Sequence, residues 1–161
     1  MIVVSDTSPI TNLAAIGQLE LLRQLYKKVV LPEAVYEELT IEPISAGGLE
    51  AKSCQWIEVQ KVSTQSLQVA TKYGLDAGET EAIALALDIK ESKLLIDERA
   101  GRKAAEELNL SFTGVLGVLV AAKEEGLIAE IKPLLDALRD PVGFYVAENL
   151  YRQVLEEVQE I

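Results

Sequence analysis

The hydrophobic residues of this chain fall into two patterns that follow one another along the sequence. Short apolar runs rich in Val, Ile and Leu predict buried strands. Four of these runs are clear and the fifth is weaker: 2–5, 28–31, 56–59, 93–96 and 110–112. Strands buried on both faces are typical of a parallel sheet that helices cover on each side.

Segments with apolar residues three and four positions apart lie between the strand-like runs. They predict helices over 9–25, with a break at Gly17, and over 32–39, 64–73, 77–89, 99–108, 115–125 and 128–138. Residues 41–48, with Pro43 and two glycines, and residues 140–143 predict loops. Strands that alternate with helices in this way indicate an α/β fold with a parallel sheet.

The last segment, 144–161, predicts a C-terminal amphipathic helix, which we place over 147–161. One stripe of this helix is apolar, and we expect it to pack against another surface: Leu150, Tyr151, Val154, Leu155, Val158 and Ile161. The sequence holds no internal repeat and no change of composition that would mark a linker. We therefore expect residues 1–161 to form a single domain.

The composition of the chain limits its cellular location and the kinds of partner it can bind. Cys54 is the only cysteine and cannot form an internal disulfide, and no secretory signal pattern opens the chain, so we expect a cytoplasmic protein. The longest apolar run, 115–122, is too short to span a bilayer, so we expect no membrane partner. The 15 basic and 26 acidic residues give a net charge of -11. This charge argues against broad, nonspecific nucleic-acid binding but is compatible with a local site.

Two aspartates stand where predicted strands end. Asp6 follows the first run, and Asp97 follows Leu94-Leu95-Ile96. Each also precedes a predicted helix, so a helix N-cap explains either residue taken alone. The carboxyl ends of parallel strands meet at one edge of a sheet, and we therefore expect the two carboxylates to share a site.

Glutamates on two predicted helices are further candidates. Glu79 and Glu81 lie in the first turn of the helix over 77–89, where the helix dipole favours negative charge and gives a structural explanation. Gly78 beside them indicates a close backbone approach. On the helix over 32–39, Glu38 lies at the margin of the buried face, although most helix glutamates, including its neighbour Glu37, are merely solvated.

The chain contains no histidine, so carboxylates are the natural candidates for any chemistry. The usual forms of Ser-His-Asp and Cys-His catalysis are excluded. The phosphate-binding motifs G-x-x-x-x-G-K-[ST] and G-x-G-x-x-G are also absent. Several carboxylates held close together must protonate or bind a cation, and oxygen ligands favour Mg²⁺ or Mn²⁺. Metal-dependent phosphodiester hydrolysis is the leading chemistry.

Five segments together resemble the PIN domain family over nearly the whole chain. They are Asp6-Thr7-Ser8-Pro9, Pro32-x-x-Val35-x-x-Glu38-Leu39, Gly78-Glu79-x-x-Ala82-Ile83-x-Leu85-Ala86, Leu95-Ile96-Asp97-Glu98 and Phe112-Thr113-Gly114-Val115-Leu116-Gly117. They look like the branch of the family with G-E-x-x-A-I in place of the commoner aspartate. The resemblance implies a three-layer α/β/α sandwich around a parallel sheet of about five strands.

The resemblance also implies an activity, the hydrolysis of single-stranded RNA with Mg²⁺ or Mn²⁺. By motif position, the catalytic and metal-binding carboxylates are Asp6, Glu38, Glu79 and Asp97. Glu81 is an alternative third acid, and Glu98 competes with Asp97 because this chain has Ile96-Asp97-Glu98 where many members have Thr-x-Asp. The residues implied to contact substrate are Thr7, Ser8, Arg99 and Arg102.

Many proteins of this family are toxins of toxin-antitoxin pairs, so the resemblance implies a small antitoxin partner and a homodimer. The C-terminal helix and the apolar stripe at 115–120 are candidate contact surfaces, with core packing as the alternative. Two other functions remain open. One is a PIN-like binding or scaffold protein with a weak or inactive acid site, and the other is a metal-dependent hydrolase of small phosphate esters.

Overall fold

A computed structural model describes all residues, 1–161, and contains one sheet of five parallel strands. The strands lie side by side in the order β3-β2-β1-β4-β5. Their bounds are β1 Ile2–Ser5, β2 Lys28–Pro32, β3 Ile57–Gln60, β4 Ser92–Leu95 and β5 Phe112–Thr113. In the registers of the central pairs, Val3 lies beside Val29 on one side and Lys93 on the other.

Ten helices connect and flank the strands. Their bounds are α1 Thr7–Ala15, α2 Glu20–Leu25, α3 Glu33–Thr40, α4 Gly48–Ser53, α5 Thr64–Thr71, α6 Ala77–Asp88, α7 Arg99–Glu107, α8 Val115–Glu124, α9 Lys132–Arg139 and α10 Glu148–Glu157. Even the longest, α6, has only 12 residues, and none of the ten is a candidate to cross a bilayer.

The core has two halves, one on each face of the sheet. Because successive strand residues point to opposite faces, Val3 packs with one half and Val4 with the other, as do Leu95 and Leu94. The larger half includes residues of α1, α2, α8, α9 and α10, and the smaller half lies under α5, α6 and α7. This arrangement is a three-layer α/β/α sandwich, as the sequence predicts.

The differences from the predicted elements have local causes. The short helix α4 was not predicted, because six residues give too little periodicity to recognise. Helix α9 begins four residues later than predicted, at Lys132, with Pro133 in its first turn, the part of a helix that tolerates proline. Helix α10 is shorter than 147–161, since Gln159 adopts a left-handed backbone conformation with φ 62°.

The order of the strands determines where a site can form. From β1 the chain passes outward to β2 and β3 on one side, and then returns to place β4 and β5 on the other side. The crevice beyond the carboxyl ends of β1 and β4 is therefore the point where the connections reverse direction. Ligands of open α/β sheets bind at such a point.

Candidate functional site

Asp6 lies at the carboxyl end of β1, directly before α1. Its backbone N–H donates to the carbonyl of Leu95 at 3.0 Å, which ties the end of β1 to β4. The Asp6 side chain makes no capping hydrogen bond to α1, and only 5% of the residue is exposed. The carboxylate is thus buried without serving the helix that follows it.

The environment of Asp6 disfavours its charged form. Burial is the largest cause of a rise in the pKa of Asp6 from 3.8 to about 7, and a hydrogen bond from the backbone of Thr7 opposes the rise. Three further carboxylates raise this pKa by their negative charge: Asp76, Glu38 and Glu98. Near neutral pH, a proton or a cation is therefore needed to compensate Asp6.

Glu38 reaches the same crevice from α3. The hydroxyl of Thr7 donates to Glu38 Oε2 at 2.7 Å and links the start of α1 to this glutamate. Glu38 is otherwise exposed, and the hydroxyl of Thr7 is its only side-chain hydrogen-bond partner. The sequence pattern favours Glu38 over Glu37, and in the structure Glu38 lines the same pocket as Asp6.

Glu79 enters from the first turn of α6. The backbone N–H of Glu79 donates to Asp76 Oδ1 at 2.8 Å, so Asp76 caps α6 and holds the backbone of Glu79 in the first turn of this helix. Only 8% of Glu79 is exposed, and burial is the largest cause of a rise in its pKa from 4.5 to about 7. The charges of Asp76, Asp6 and Glu98, and a hydrogen bond shared with Asp76, add to this rise.

These side chains line one open pocket of about 390 Å³. None of its ten lining residues is hydrophobic: Asp6, Thr7, Ser8, Thr11, Asn12, Glu38, Ser45, Asp76, Glu79 and Glu98. The structure contains six ion pairs, and none involves a carboxylate of this pocket. We call this pocket, with its five uncompensated carboxylates, the acid pocket.

Asp97 lies at the carboxyl end of β4 but does not line the acid pocket. Its carboxylate accepts the backbone N–H of Val115, at the start of α8, at 3.1 Å to Oδ1 and 3.4 Å to Oδ2. Burial raises the pKa of Asp97, while the Val115 N–H and the charge of Arg102 lower it. Its neighbour Glu98 lines the acid pocket instead, and both acids border an adjoining cavity.

Glu81 also lies outside the acid pocket. Its Oε1 accepts the backbone N–H of Ala34, in the first turn of α3, at 3.0 Å. Of the two glutamates that the sequence left as alternatives, the structure places Glu79 in the pocket and turns Glu81 toward α3.

The predicted substrate-contacting residues divide in a similar way. Thr7 and Ser8 line the acid pocket. Arg102 lies on the far side of Asp97, where its Nε donates to the carbonyl of Ile96 at 3.1 Å and its guanidinium lies over the ring of Phe112. Arg99 is exposed and lines neither the acid pocket nor the cavities on either side of Asp97.

Asp76 is the carboxylate of the acid pocket that sequence reasoning missed. It precedes α6 by one residue and stands three residues before Glu79, which is the spacing of an N-cap. That spacing is visible in Asp76-Ala-Gly-Glu79, but it predicts a cap and gives no reason to expect a place in a site.

A divalent cation suits the donors of the acid pocket. A Cβ atom added to Gly78 would lie 3.1 Å from Glu38 Oε2, 3.3 Å from Asp6 Oδ1 and 3.5 Å from Thr7 Oγ1, so three oxygens lie close to one point beside this glycine. No three acidic side chains are close enough together to ligate one ion in this arrangement. Mg²⁺ commonly binds through one or two carboxylates and keeps several waters as its other ligands. Asp6 and Glu38 can supply these two carboxylates.

The three-layer fold and the carboxylate pocket at the strand-order reversal define an α/β protein with an acidic site at the carboxyl edge of its sheet. A family model described as "PIN domain" matches residues 2–160, and the chain belongs to the PIN domain family. PIN domains are generally nucleases that use divalent metal ions. No curated protein matches this chain.

Proposed function

We propose that this protein is a Mg²⁺- or Mn²⁺-dependent endoribonuclease that hydrolyses phosphodiester bonds of single-stranded RNA. One observation carries the proposal. Five carboxylates line a single polar pocket, two of them are buried with pKa values raised to about 7, and no basic side chain pairs with any of them. Membership of the PIN domain family supports the nuclease chemistry.

The charge of the acid pocket explains why a cation is needed. An anionic phosphodiester is repelled by uncompensated carboxylates, and those carboxylates repel one another. Asp6, Glu38 and Glu79 would hold the ion, one or two of them directly and the others through bound waters. The ion would polarise the phosphate and lower the pKa of a bound water. The hydroxyl of Thr7 fixes one oxygen of Glu38 by donating to it. Asp76 holds the first turn of α6 and so orients Glu79.

The fourth acid of the proposed site is Asp97, with Glu98 as its competitor. Asp97 follows the strand next to Asp6 but is held by the backbone of Val115, whereas Glu98 lines the acid pocket. We therefore assign Asp97 a smaller share of the activity than Asp6. On the substrate side, we assign the hydroxyl of Ser8 to contacts with RNA, since Ser8 borders both the acid pocket and the adjoining cavity.

The basic residues proposed to meet phosphate are Arg102 and Arg99. Arg102 borders a cavity of about 470 Å³ on the other side of Asp97 and lies there beside apolar residues of α8 and α10. A guanidinium suits phosphate oxygens because it donates in a planar fork. Arg99 is exposed in the first turn of α7 and is free to approach a bound strand.

We further propose that the protein is the toxin of a toxin-antitoxin pair and acts in the cytoplasm as a homodimer. The contact surfaces we propose are α10 and the 115–120 stripe of α8. Val115, Val118 and Leu119 of this stripe are buried in the core, whereas Leu116 and Val120 line the 470 Å³ cavity with Leu150. Leu150 is exposed and the other two are partly buried, and this apolar lining supports a contact surface for a small antitoxin or a second copy.

A PIN-like scaffold without activity is the second candidate. It is favoured by the absence of any three acidic side chains close enough to ligate one ion, and by the longer arm of glutamate at position 79. Calorimetry with Mn²⁺ separates the two candidates. Binding that Glu79→Gln weakens supports the nuclease, and no binding by the wild-type protein supports the scaffold.

Cleavage of labelled single-stranded RNA tests the activity directly. We expect cleavage with Mg²⁺ or Mn²⁺, none with EDTA, and a loss of more than about 100-fold in Glu79→Gln, because even outer-shell changes at metal sites cost about 10- to 100-fold. Glu37→Gln is the matched control, since Glu37 is an exposed glutamate beside Glu38. Full activity of Glu79→Gln would refute the proposal. If the protein hydrolyses small phosphate esters as fast as RNA, the alternative of a small-ester phosphohydrolase is favoured.

A further inference from the structure

Glu81 makes a contact that the proposed metal chemistry does not use. Its Oε1 accepts the backbone N–H of Ala34 at 3.0 Å, which joins two residues 47 positions apart in the chain. Ala34 is the second residue of α3, and N–H groups in the first turn of a helix have no partner within the helix. A carboxylate supplies the missing acceptor and also a negative charge where the helix dipole favours one.

The two elements joined by this hydrogen bond are the helices that bring glutamates to the acid pocket. Helix α3 carries Glu38, and α6 carries Glu79 two residues before Glu81. They meet closely, because a Cβ atom on Gly78 of α6 would lie 3.1 Å from Glu38 Oε2. The separation of the two glutamates therefore depends on how the first turn of α6 is held against α3.

We infer that Glu81 is a positioning residue that fixes α3 against α6 and thereby sets the separation of the Glu38 and Glu79 carboxylates across the acid pocket. It acts through the hydrogen bond to Ala34 and does not ligate the ion. The functional consequence of this inference rests on the proposed metal-dependent activity, whereas the structural consequence does not.

A glutamine replacement separates positioning from ligation. Glu81→Gln keeps a side-chain oxygen that can accept the Ala34 N–H, but it removes the charge of a ligand. Glu81→Ala removes both. We expect Mn²⁺ binding, measured by calorimetry, to stay within roughly threefold of wild type in Glu81→Gln and to weaken about tenfold or more in Glu81→Ala.

Two further variants calibrate this measurement. Glu79→Gln should weaken Mn²⁺ binding more than Glu81→Gln, because Glu79 lies in the acid pocket. Glu37→Ala removes an exposed charge from α3 and should leave binding unchanged. If Glu81→Gln weakens binding as much as Glu79→Gln, Glu81 is a ligand and the inference is wrong. Unchanged binding in a folded Glu81→Ala overturns it as well.

Amide hydrogen exchange provides a readout that needs no metal. The N–H of Ala34 should exchange at least about tenfold faster in Glu81→Ala than in wild type, and at nearly the wild-type rate in Glu81→Gln. An unchanged rate in Glu81→Ala refutes the inference. If wild-type protein binds no Mn²⁺, the proposed function fails, while the exchange of Ala34 and the Glu38–Glu79 separation in a crystal structure of Glu81→Ala still decide the positioning role. If Glu81→Ala does not fold, Glu81→Asp, which keeps the charge but shortens the arm that reaches Ala34, takes its place in each measurement.

Discussion

The ends of β1 and β4 have the same local sequence pattern but different structures. In each, a buried strand ends, an aspartate follows, and a helix begins within two residues: Asp6 before α1 and Asp97 before α7. Asp6 faces other acids in the acid pocket. Asp97 is held by the N–H of Val115 and lies close to Arg102.

The elements that meet each strand end account for this difference. At β4, the start of α8 presents the N–H of Val115 and α7 presents the guanidinium of Arg102. Both oppose the rise that burial causes in the pKa of Asp97, and the N–H holds its carboxylate in place. At β1, α3 and α6 bring only further carboxylates. Asp6 is therefore the aspartate whose charge no basic side chain offsets, and the role we propose for it follows from its distant neighbours rather than from its local sequence.

The largest expected difference between the two aspartates is in RNA cleavage. Asp6→Asn should lose more than about 100-fold in Mn²⁺-dependent cleavage, because it removes charge from the acid pocket, whereas Asp97→Asn should lose about tenfold. Both variants should fold, since asparagine keeps an oxygen acceptor. A gel assay of single-stranded RNA measures the rates, and equal losses would show that both aspartates ligate the ion.

The second expected difference is in the dependence of stability on pH. The pKa values of Asp6 and Glu79 are raised to about 7, so the folded state binds more protons than the unfolded state between about pH 4 and 7. Without metal, their contribution to the free energy of unfolding is present below about pH 4 and is lost as the pH rises through 7. The loss should be on the order of a few kcal/mol.

Chemical denaturation in EDTA measures this effect. In Asp6→Asn the free energy of unfolding should fall less steeply as the pH rises. At pH 8 this variant should be more stable than the wild type, because the substitution removes one of the repelling charges. Mn²⁺ should restore the stability of the wild type at that pH by binding only the folded state. If Asp97→Asn reduces the pH dependence of the free energy of unfolding as much as Asp6→Asn does, the proposed difference between the two aspartates is wrong.

A glycine lies against each aspartate and offers a matched pair of alanine variants. A Cβ on Gly78 would press on Asp6 and Glu38, and a Cβ on Gly114 would clash with Asp97 and Arg102. Gly78→Ala should weaken Mn²⁺ binding roughly tenfold without lowering the melting temperature, since alanine favours helix over glycine by about 1 kcal/mol. Gly114→Ala should mainly lower the melting temperature, because its Cβ clashes with Asp97 and Arg102 outside the acid pocket. The reverse pattern would contradict the division of roles.

The smallest effect concerns the role of Asp97 at α8. Asp97→Ala should lower the free energy of unfolding by about 1 kcal/mol, since it leaves the N–H of Val115 without its acceptor. Asp97→Asn should cost less, because Oδ1 can still accept this hydrogen bond. Urea denaturation compares the two variants. Equal stability of Asp97→Ala and wild type would mean that Val115 does not depend on this side chain.

Much of the fold was predictable because it follows from local periodicity. All five strands and every helix of eight residues or more were predicted from apolar spacing. The six-residue α4 was missed. Helix α9 begins later than predicted, with Pro133 in its first turn, and α10 ends earlier, before Gln159 with its left-handed backbone. In the acid pocket, Asp6, Glu38 and Glu79 were predicted together, whereas Asp76 was not, since its sequence signal is only that of an N-cap.

The sequence by itself determined the alternation of strands and helices. It also determined that the chain has no histidine and that carboxylates lie at the carboxyl edge of the parallel sheet. Only the tertiary structure decided which carboxylates remain uncompensated. Glu79 lies in the acid pocket while Glu81 binds α3, and Glu98 lines that pocket while Asp97 binds the start of α8. The physical reason is that strand and helix periodicity are local, whereas the stabilisation of a charge depends on hydrogen-bond donors, cations and other acids that distant segments bring within a few ångströms.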